Sequence, residues 1–366
     1  IKLYFFSILK LFFINFRNFY FRSSYYNKKL VTFIPERIFY NPSTYLAASL
    51  TSYSNDFYKI NNETPGSLWK IDENDKLKFE NLHSFLWLTR LDRKNNKKIT
   101  KEIIESWINK FFNYHPRTWN MEITAKRIIA WCSNTDIALE NSEKKYKEKF
   151  FLSLVKQSNF LSKNLNISFD DPSKIICCAA IILSGMIFEE NNLNYKTGMK
   201  ELEKVIKNYF DESGFPKSRN PEDVFQCLKY LILIREWLKE GQKSIPDFLN
   251  NIISKCGNCY SMLSYANKEF PLFNGATEIN YKDYDIFLKN LKYKFSNKSH
   301  SIADYIKIKK KKFEFFIDCG NPPQSIYAKY YQAGCLAFEL ISSKQKIICN
   351  SGYAKYLSPK FTELSR

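Results

Sequence analysis

The stretch Trp119–Ser133, WNMEITAKRIIAWCS, governs how the rest of the chain is read. Met121, Ala125, Ile128 and Cys132 recur at helical spacing and form one apolar stripe. Asn120 stands where an N-cap belongs, ready to accept an orphaned amide of the first turn. Glu122 and Lys126 sit four apart in the favourable order. Two readings are open. In one, this is an ordinary helix packed on its neighbours. In the other, Trp119 and Trp131 stack on sugar rings while Asn120, Glu122 and Arg127 hold hydroxyls or a carboxylate, with Trp119 and Arg127 flooring a groove.

Outward from this helix, apolar residues keep the same period. Ile103, Ile104, Trp107, Ile108 and Phe111 precede it, and Phe150, Phe151, Leu154, Val155 and Leu161 follow. Ile175 to Phe188 is almost wholly apolar but too short to cross a bilayer, so it reads as an inner helix buried on all sides. Val224 to Leu238 is another helix, capped by Asn220 with Pro221 in its first turn. Periodicity alone gives a multi-helix domain.

Near His300 the texture changes to β-type. Tyr305–Lys309, Phe313–Asp318, Cys335–Leu340 and Gln345–Cys349 read as strands, broken by Gly320 and Pro322–Pro323. Four strands are too few to cover their own apolar face, so the expectation is a fragment whose natural chain continues past Arg366. The run Lys307–Lys312 reads as a charged edge strand that discourages sheet-to-sheet pairing.

The 366 residues suffice for a large helical core and a second domain. A formal charge of +19 points to an anionic partner, although a composition rich in Lys, Asn, Ile, Phe and Tyr accounts for part of the excess. Specific nucleic-acid binding has only this charge behind it, since no zinc finger, RNA-recognition signature or phosphate loop is present. Among nine cysteines, Cys132, Cys177, Cys178 and Cys227 read as buried hydrophobes, and Cys256 and Cys259 form a lone Cys-x-x-Cys without a second pair or a nearby His. No metal site and no cofactor are expected. Unpaired thiols favour a reducing, cytoplasmic setting. The aromatic, basic segment Ile1–Arg22 reads as a helix lying on a membrane or on the main domain, interrupted by Lys2, Lys10 and Arg17.

The Trp-(polar)-x-x-Glu-x-x-x-Arg-x-x-x-Trp helix resembles the heparinase II/III family of polysaccharide lyases. Ser218–Pro221 (SRNP), Leu272–Gly275 (LFNG) and Ala333–Leu340 (AGCLAFEL) agree with it in the same order, from about Leu30 to the end of the chain. The resemblance is closer to a bacterial branch of heparinase-like proteins than to the well-studied lyases. It implies a mostly α chain with a C-terminal β part: an incomplete α/α toroid, then the start of an antiparallel β-sandwich. It divides the chain into a basic aromatic segment (1–40), a toroid domain (41–298) and the first part of a β-sandwich (299–366). It implies an acidic polysaccharide partner, a carbon–oxygen lyase acting by β-elimination, and a place in the cell envelope or periplasm.

Such a lyase needs a group that neutralises the uronate carboxylate, a base for the adjacent C–H and an acid for the leaving oxygen. The family's residues do not carry over. Where it has an Asn-His pair, this chain has Pro172 and Ser173; where it has a Tyr, Asp223; where it has β-domain His residues, Tyr330 and Gln332. The remaining candidates are Tyr330 or Tyr331 for proton transfer, with Gln332, Asn220 or Arg219 binding a carboxylate. Each has a plainer reading: Asn220 as a helix cap, Arg219 as a surface ion-pair partner, the tyrosines as β-segment hydrophobes. His115 reads as a turn residue and His83 as a core histidine. A glycan-binding or envelope-assembly protein that kept the fold and lost the chemistry is the second reading of function.

Overall fold

In the computed structural model, residues 2–51, 65–70, 75–91, 97–188, 192–279, 281–296, 299–332, 334 and 336–353 are described, with backbone alone for 2–11 and 192. Ala333, Cys335 and the terminal stretch 354–366, all part of the sequence reading, lie outside them. Thirteen helices precede the sheet among the described residues. They are α1 Lys2–Arg22, α2 Ser24–Lys29, α3 Thr44–Ala48, α4 Lys76–Ser84, α5 Lys97–Phe111, α6 Met121–Cys132 and α7 Thr135–Leu139. After these come α8 Lys144–Asn164, α9 Pro172–Ile187, α10 Asn192–Tyr209, α11 Pro221–Glu240, α12 Asp247–Leu263 and α13 Lys282–Asn290. Strands β1 Ser301–Ile302, β2 Tyr305–Lys310, β3 Phe313–Asp318, β4 Phe338–Ser342 and β5 Gln345–Ile348 form one antiparallel sheet in sequence order.

The chain divides into two compact units, with the division falling inside α9 and α10. Unit 1 comprises residues 1–44, 57–167 and 180–198; unit 2 comprises 45–56, 168–179 and 199–366.

Unit 1 is built around α6. The Asn120 side chain accepts from the amides of Glu122 (3.0 Å) and Ile123 (3.3 Å), which fixes where the helix starts. Its apolar residues are sealed among aromatics: Trp131 stacks on Phe150 at 5.3 Å and meets Trp107 edge-on at 5.4 Å. The buried α9 is nearly without exposed side chains from Ile175 onward, as its composition implied. At Gly185 a Cβ would strike the backbone of Tyr195, so only glycine admits the close approach of α10 there.

In unit 2, Asn220 caps α11 by accepting from the Glu222 amide at 2.8 Å, with Pro221, Glu222 and Asp223 filling the first turn. The inward face of the sheet mixes charged and apolar residues. Alternation on β2, β3 and β4 turns Tyr305, Lys307, Glu314, Phe316, Asp318 and Glu339 toward the helices. Ile308, Phe313 and Phe338 lie exposed on the other face. The lysine run is only partly the solvated edge it resembled. Lys309 and Lys310 are exposed on a stretch of β2 that β1 does not reach. Lys307, in contrast, turns inward and donates to the carbonyls of Ser264 (2.6 Å) and Met262 (3.1 Å) while pairing with Glu314.

Candidate functional site

The sequence-derived candidates fall in both units. In unit 1, Trp119 and Arg127 are sealed in the core, 1% and 0% exposed, so the expectation that they floor a sugar groove is corrected. The Trp119 indole N–H donates to the Phe111 carbonyl at 2.9 Å, and its ring meets Phe160 at 5.4 Å. Arg127 donates through Nε to Gln157 (2.6 Å), through Nη1 to the carbonyls of His83 (2.9 Å) and Thr118 (3.0 Å), and through Nη2 to Thr124 (3.2 Å). The guanidinium also lies 4.1 Å from the centre of the Trp107 ring. A guanidinium this far from water is tolerable only with its N–H groups satisfied, and here neutral core acceptors supply them. His83 belongs to the same knot. It accepts the Trp107 N–H at 3.1 Å, and burial, then the Arg127 charge, lowers its imidazole to about 3. Asn120 is exposed but occupied as the cap, and Glu122 pairs with Lys126 at 2.6 Å.

Unit 2 assembles a polar site from three motifs distant in sequence. Arg219 has a left-handed backbone (φ 59°) that turns its side chain onto the sheet rather than into solvent. It is therefore not the surface ion-pair partner its sequence suggested. Its guanidinium pairs with Asp318, which is 1% exposed, and donates to the Ala303 carbonyl at 2.8 Å. Its Nε–H is buried without a partner among the described residues. Asn274, in the Leu-Phe-Asn-Gly turn, donates to Asp318 (2.7 Å) and to the Tyr305 hydroxyl (2.6 Å), and Tyr305 in turn donates to the Arg219 carbonyl (2.5 Å). A Cβ at Gly320 would press on the Arg219 guanidinium and displace it from its place against Asp318.

The same turn carries the chain to the remaining candidates. Gly275 (φ 93°) donates weakly to the Gln332 side chain at 3.4 Å, and Gln332 donates to the Gly352 carbonyl at 3.2 Å. A Cβ at Gly275 would strike the Tyr330 backbone. Tyr330 is half-buried, 5.4 Å from the Tyr353 ring and beneath the Lys329 ammonium. Arg219, Asn220, Tyr330 and Gln332 thus share one neighbourhood organised by Asn274 and Gly275. Sequence reading missed Asn274, Tyr305 and Asp318; the Asn-Gly turn was the one available signal for the first.

Beside this network, a hollow of about 250 Å³ is lined by Phe215, Pro216, Lys217, Arg219, Ala303, Gln324 and Tyr327, with the Asp211 carboxylate also in its wall. Exposed Lys217 sends its ammonium to the Asn208 carbonyl at 2.7 Å, and the Tyr327 hydroxyl donates to the same carbonyl at 3.1 Å. Close by, Asp223 accepts from Tyr209 and Ser218, both at 2.6 Å. Burial raises this carboxyl to about 6, with the Ser218 and Tyr209 hydroxyls opposing the rise. Burial raises Tyr209 as well, so its hydroxyl keeps its proton and donates it to Asp223. At the start of α9, Pro172 and Ser173 precede Lys174, whose ammonium is committed to Asp170 (2.9 Å) and Glu201 (3.1 Å). The cysteines Cys256 and Cys259 each donate to a backbone carbonyl at 3.5 Å. This arrangement can bind an anionic or hydroxylated ligand through cations and rings, and its phenols and carboxylates are tied to one another.

Helical hairpins followed by an antiparallel sheet make up the architecture of this chain. Residues 298–366 match the heparinase II/III-like C-terminal domain. A crystal structure of heparinase III superposes with a TM-score of 0.66 at 14% identity, covering 89% of this chain and 62% of that one. The heparinase III gene product BT4657 gives 0.60 at 14% identity, with 88% and 59% covered. Heparan sulfate lyase HepC from Pedobacter heparinus gives 0.58 at 11% identity, with 94% and 63% covered. The chain therefore spans about three fifths of the length of these structures, and at such identity the likeness is one of fold. No curated protein matches the sequence. The heparinase II/III-like reading and the incomplete toroid followed by an antiparallel sheet are borne out.

Proposed function

We propose that this chain holds an acidic, uronate-bearing polysaccharide in a lyase-like fold without cleaving it. The observation that carries this reading is Asp223. It occupies the place where the resemblance puts a lyase tyrosine, and it is locked between the hydroxyls of Tyr209 and Ser218. No histidine replaces the missing base. His83 is buried in unit 1, His115 lies in a turn of that unit, and His300 is an exposed residue ahead of β1. What remains suits binding: Lys217 for a carboxylate or sulfate, the Tyr327 ring for a sugar face, and Gln324 for hydroxyls. The net charge of +19 draws polyanions to it.

The cell envelope is the compartment proposed for this activity. Six of the eight described cysteines are buried, which shields those thiols from oxidation, while Cys319 and Cys349 are exposed. The test is incubation with heparan sulfate and alginate, following the ultraviolet absorbance of unsaturated uronates alongside calorimetric titration. Binding that weakens with salt, loses about tenfold in Lys217→Ala and yields no absorbing product is the expected result. Product formation would overturn the non-cleaving reading and make Tyr330 and Tyr331 the groups to substitute. Absence of binding to either polymer would overturn glycan recognition itself.

A further inference from the structure

Helix α1 is about 31 Å long at 1.5 Å per residue. Among the described residues, its C-terminal half is fastened to unit 1 through one side. Phe21 is buried, stacked on Tyr26 at 4.5 Å and edge-on to Tyr114 at 5.0 Å, and Asn18 accepts the Tyr114 hydroxyl at 2.8 Å. The opposite side carries Phe12, Phe13, Phe16 and Phe19, which are 62–76% exposed. At about 100° per residue, Phe12, Phe16 and Phe19 fall within about 60° of arc, and Phe13 and Tyr20 widen it to about 120°. Such a row of phenyl rings facing water calls for an apolar partner.

The charges around the row say which partner. The first 35 residues contain six Lys or Arg and no Asp or Glu. Arg17, Arg22, Lys28 and Lys29 are all exposed on α1 and α2. No helix among the described residues is long and apolar enough to cross a membrane. An apolar aromatic stripe bordered by exposed cations is the composition of a helix that lies in the headgroup layer of an anionic bilayer.

We infer that α1 is an interfacial anchor. Phe12, Phe13, Phe16 and Phe19 enter the boundary between headgroups and acyl chains, and Arg17, Arg22, Lys28 and Lys29 meet lipid phosphates. This inference stands apart from the glycan reading, since its residues belong to unit 1 and touch none of the hollow. Flotation of the whole chain with phosphatidylglycerol–phosphatidylcholine vesicles tests it. The chain is expected to float with these vesicles, much less with phosphatidylcholine alone, and less as salt rises. Phe16→Ser/Phe19→Ser is expected to cut flotation at least about tenfold with an unchanged melting temperature, because both rings already face solvent. Phe16→Trp, which keeps an aromatic ring, is expected to float as wild type. Flotation of the double serine variant equal to wild type would overturn the inference. So would a wild-type chain that ignores both vesicles, including one that dimerises in solution and is dispersed by the serine substitutions.

Discussion

Replacing Arg127 by lysine separates a structural role for α6 from a sugar-facing one. The guanidinium makes four donations, to Gln157, His83, Thr118 and Thr124, from a position that is 0% exposed. A lysine ammonium is a point donor on a flexible stem and cannot span these four acceptors at once. It would keep the buried charge and lose most of the hydrogen bonds that make the charge tolerable. Removing satisfaction from a buried charge costs about 3–5 kcal/mol, and each charge-assisted bond lost is worth about 1.5–3 kcal/mol before relaxation. For a unit of this size, about 2–4 °C of melting temperature accompany each kcal/mol. The expected fall in Arg127→Lys is therefore about 6–20 °C for unit 1, read by calorimetry or circular dichroism. Affinity of the folded protein for acidic glycan is expected to match wild type. A variant that melts within a degree or two of wild type yet loses glycan binding would refute the reasoning and return Arg127 to the sugar.

The two units are expected to respond to acid in opposite directions. His83 is held near 3 in the folded state, below its ordinary value of 6.5, so unfolding takes up a proton throughout that window. Unit 1 therefore loses stability as pH falls below about 6.5, and His83→Gln is expected to flatten this slope in denaturant titrations. Asp223 is raised from 3.8 to about 6, so the folded state keeps a proton that the unfolded chain releases. Its contribution to unit 2 is present below about 4 and is lost as pH rises through about 6. Asp223→Asn removes that dependence and stabilises unit 2 near neutrality by at most about 3 kcal/mol, the half-buried position reducing the figure. An Asp223→Asn protein no more stable than wild type at pH 7 would count against a carboxyl raised by desolvation.

Local rules were enough for the parts of this protein that depend on near neighbours along the chain. The cap at Asn120, the Glu122–Lys126 pair, the cap and first-turn proline of α11 and the all-buried α9 follow from periodicity and capping chemistry. The change to alternating residues after His300 likewise marks the sheet, because a strand's two faces are written every second residue. Which polar groups face a ligand was not legible. Trp119 and Arg127 have the same local pattern whether their partners are sugar hydroxyls or Phe111 and Gln157, and only packing chose the latter. Arg219, Asn274 and Asp318 are separated by 55 and 44 residues, and nothing near any of them in sequence names the others. Even the direction of the sheet escaped the pattern. Alternation says that its faces differ, but the tertiary fold turns the face of mixed charged and apolar residues inward, where Lys307 and Asp318 find partners that only the folded chain supplies.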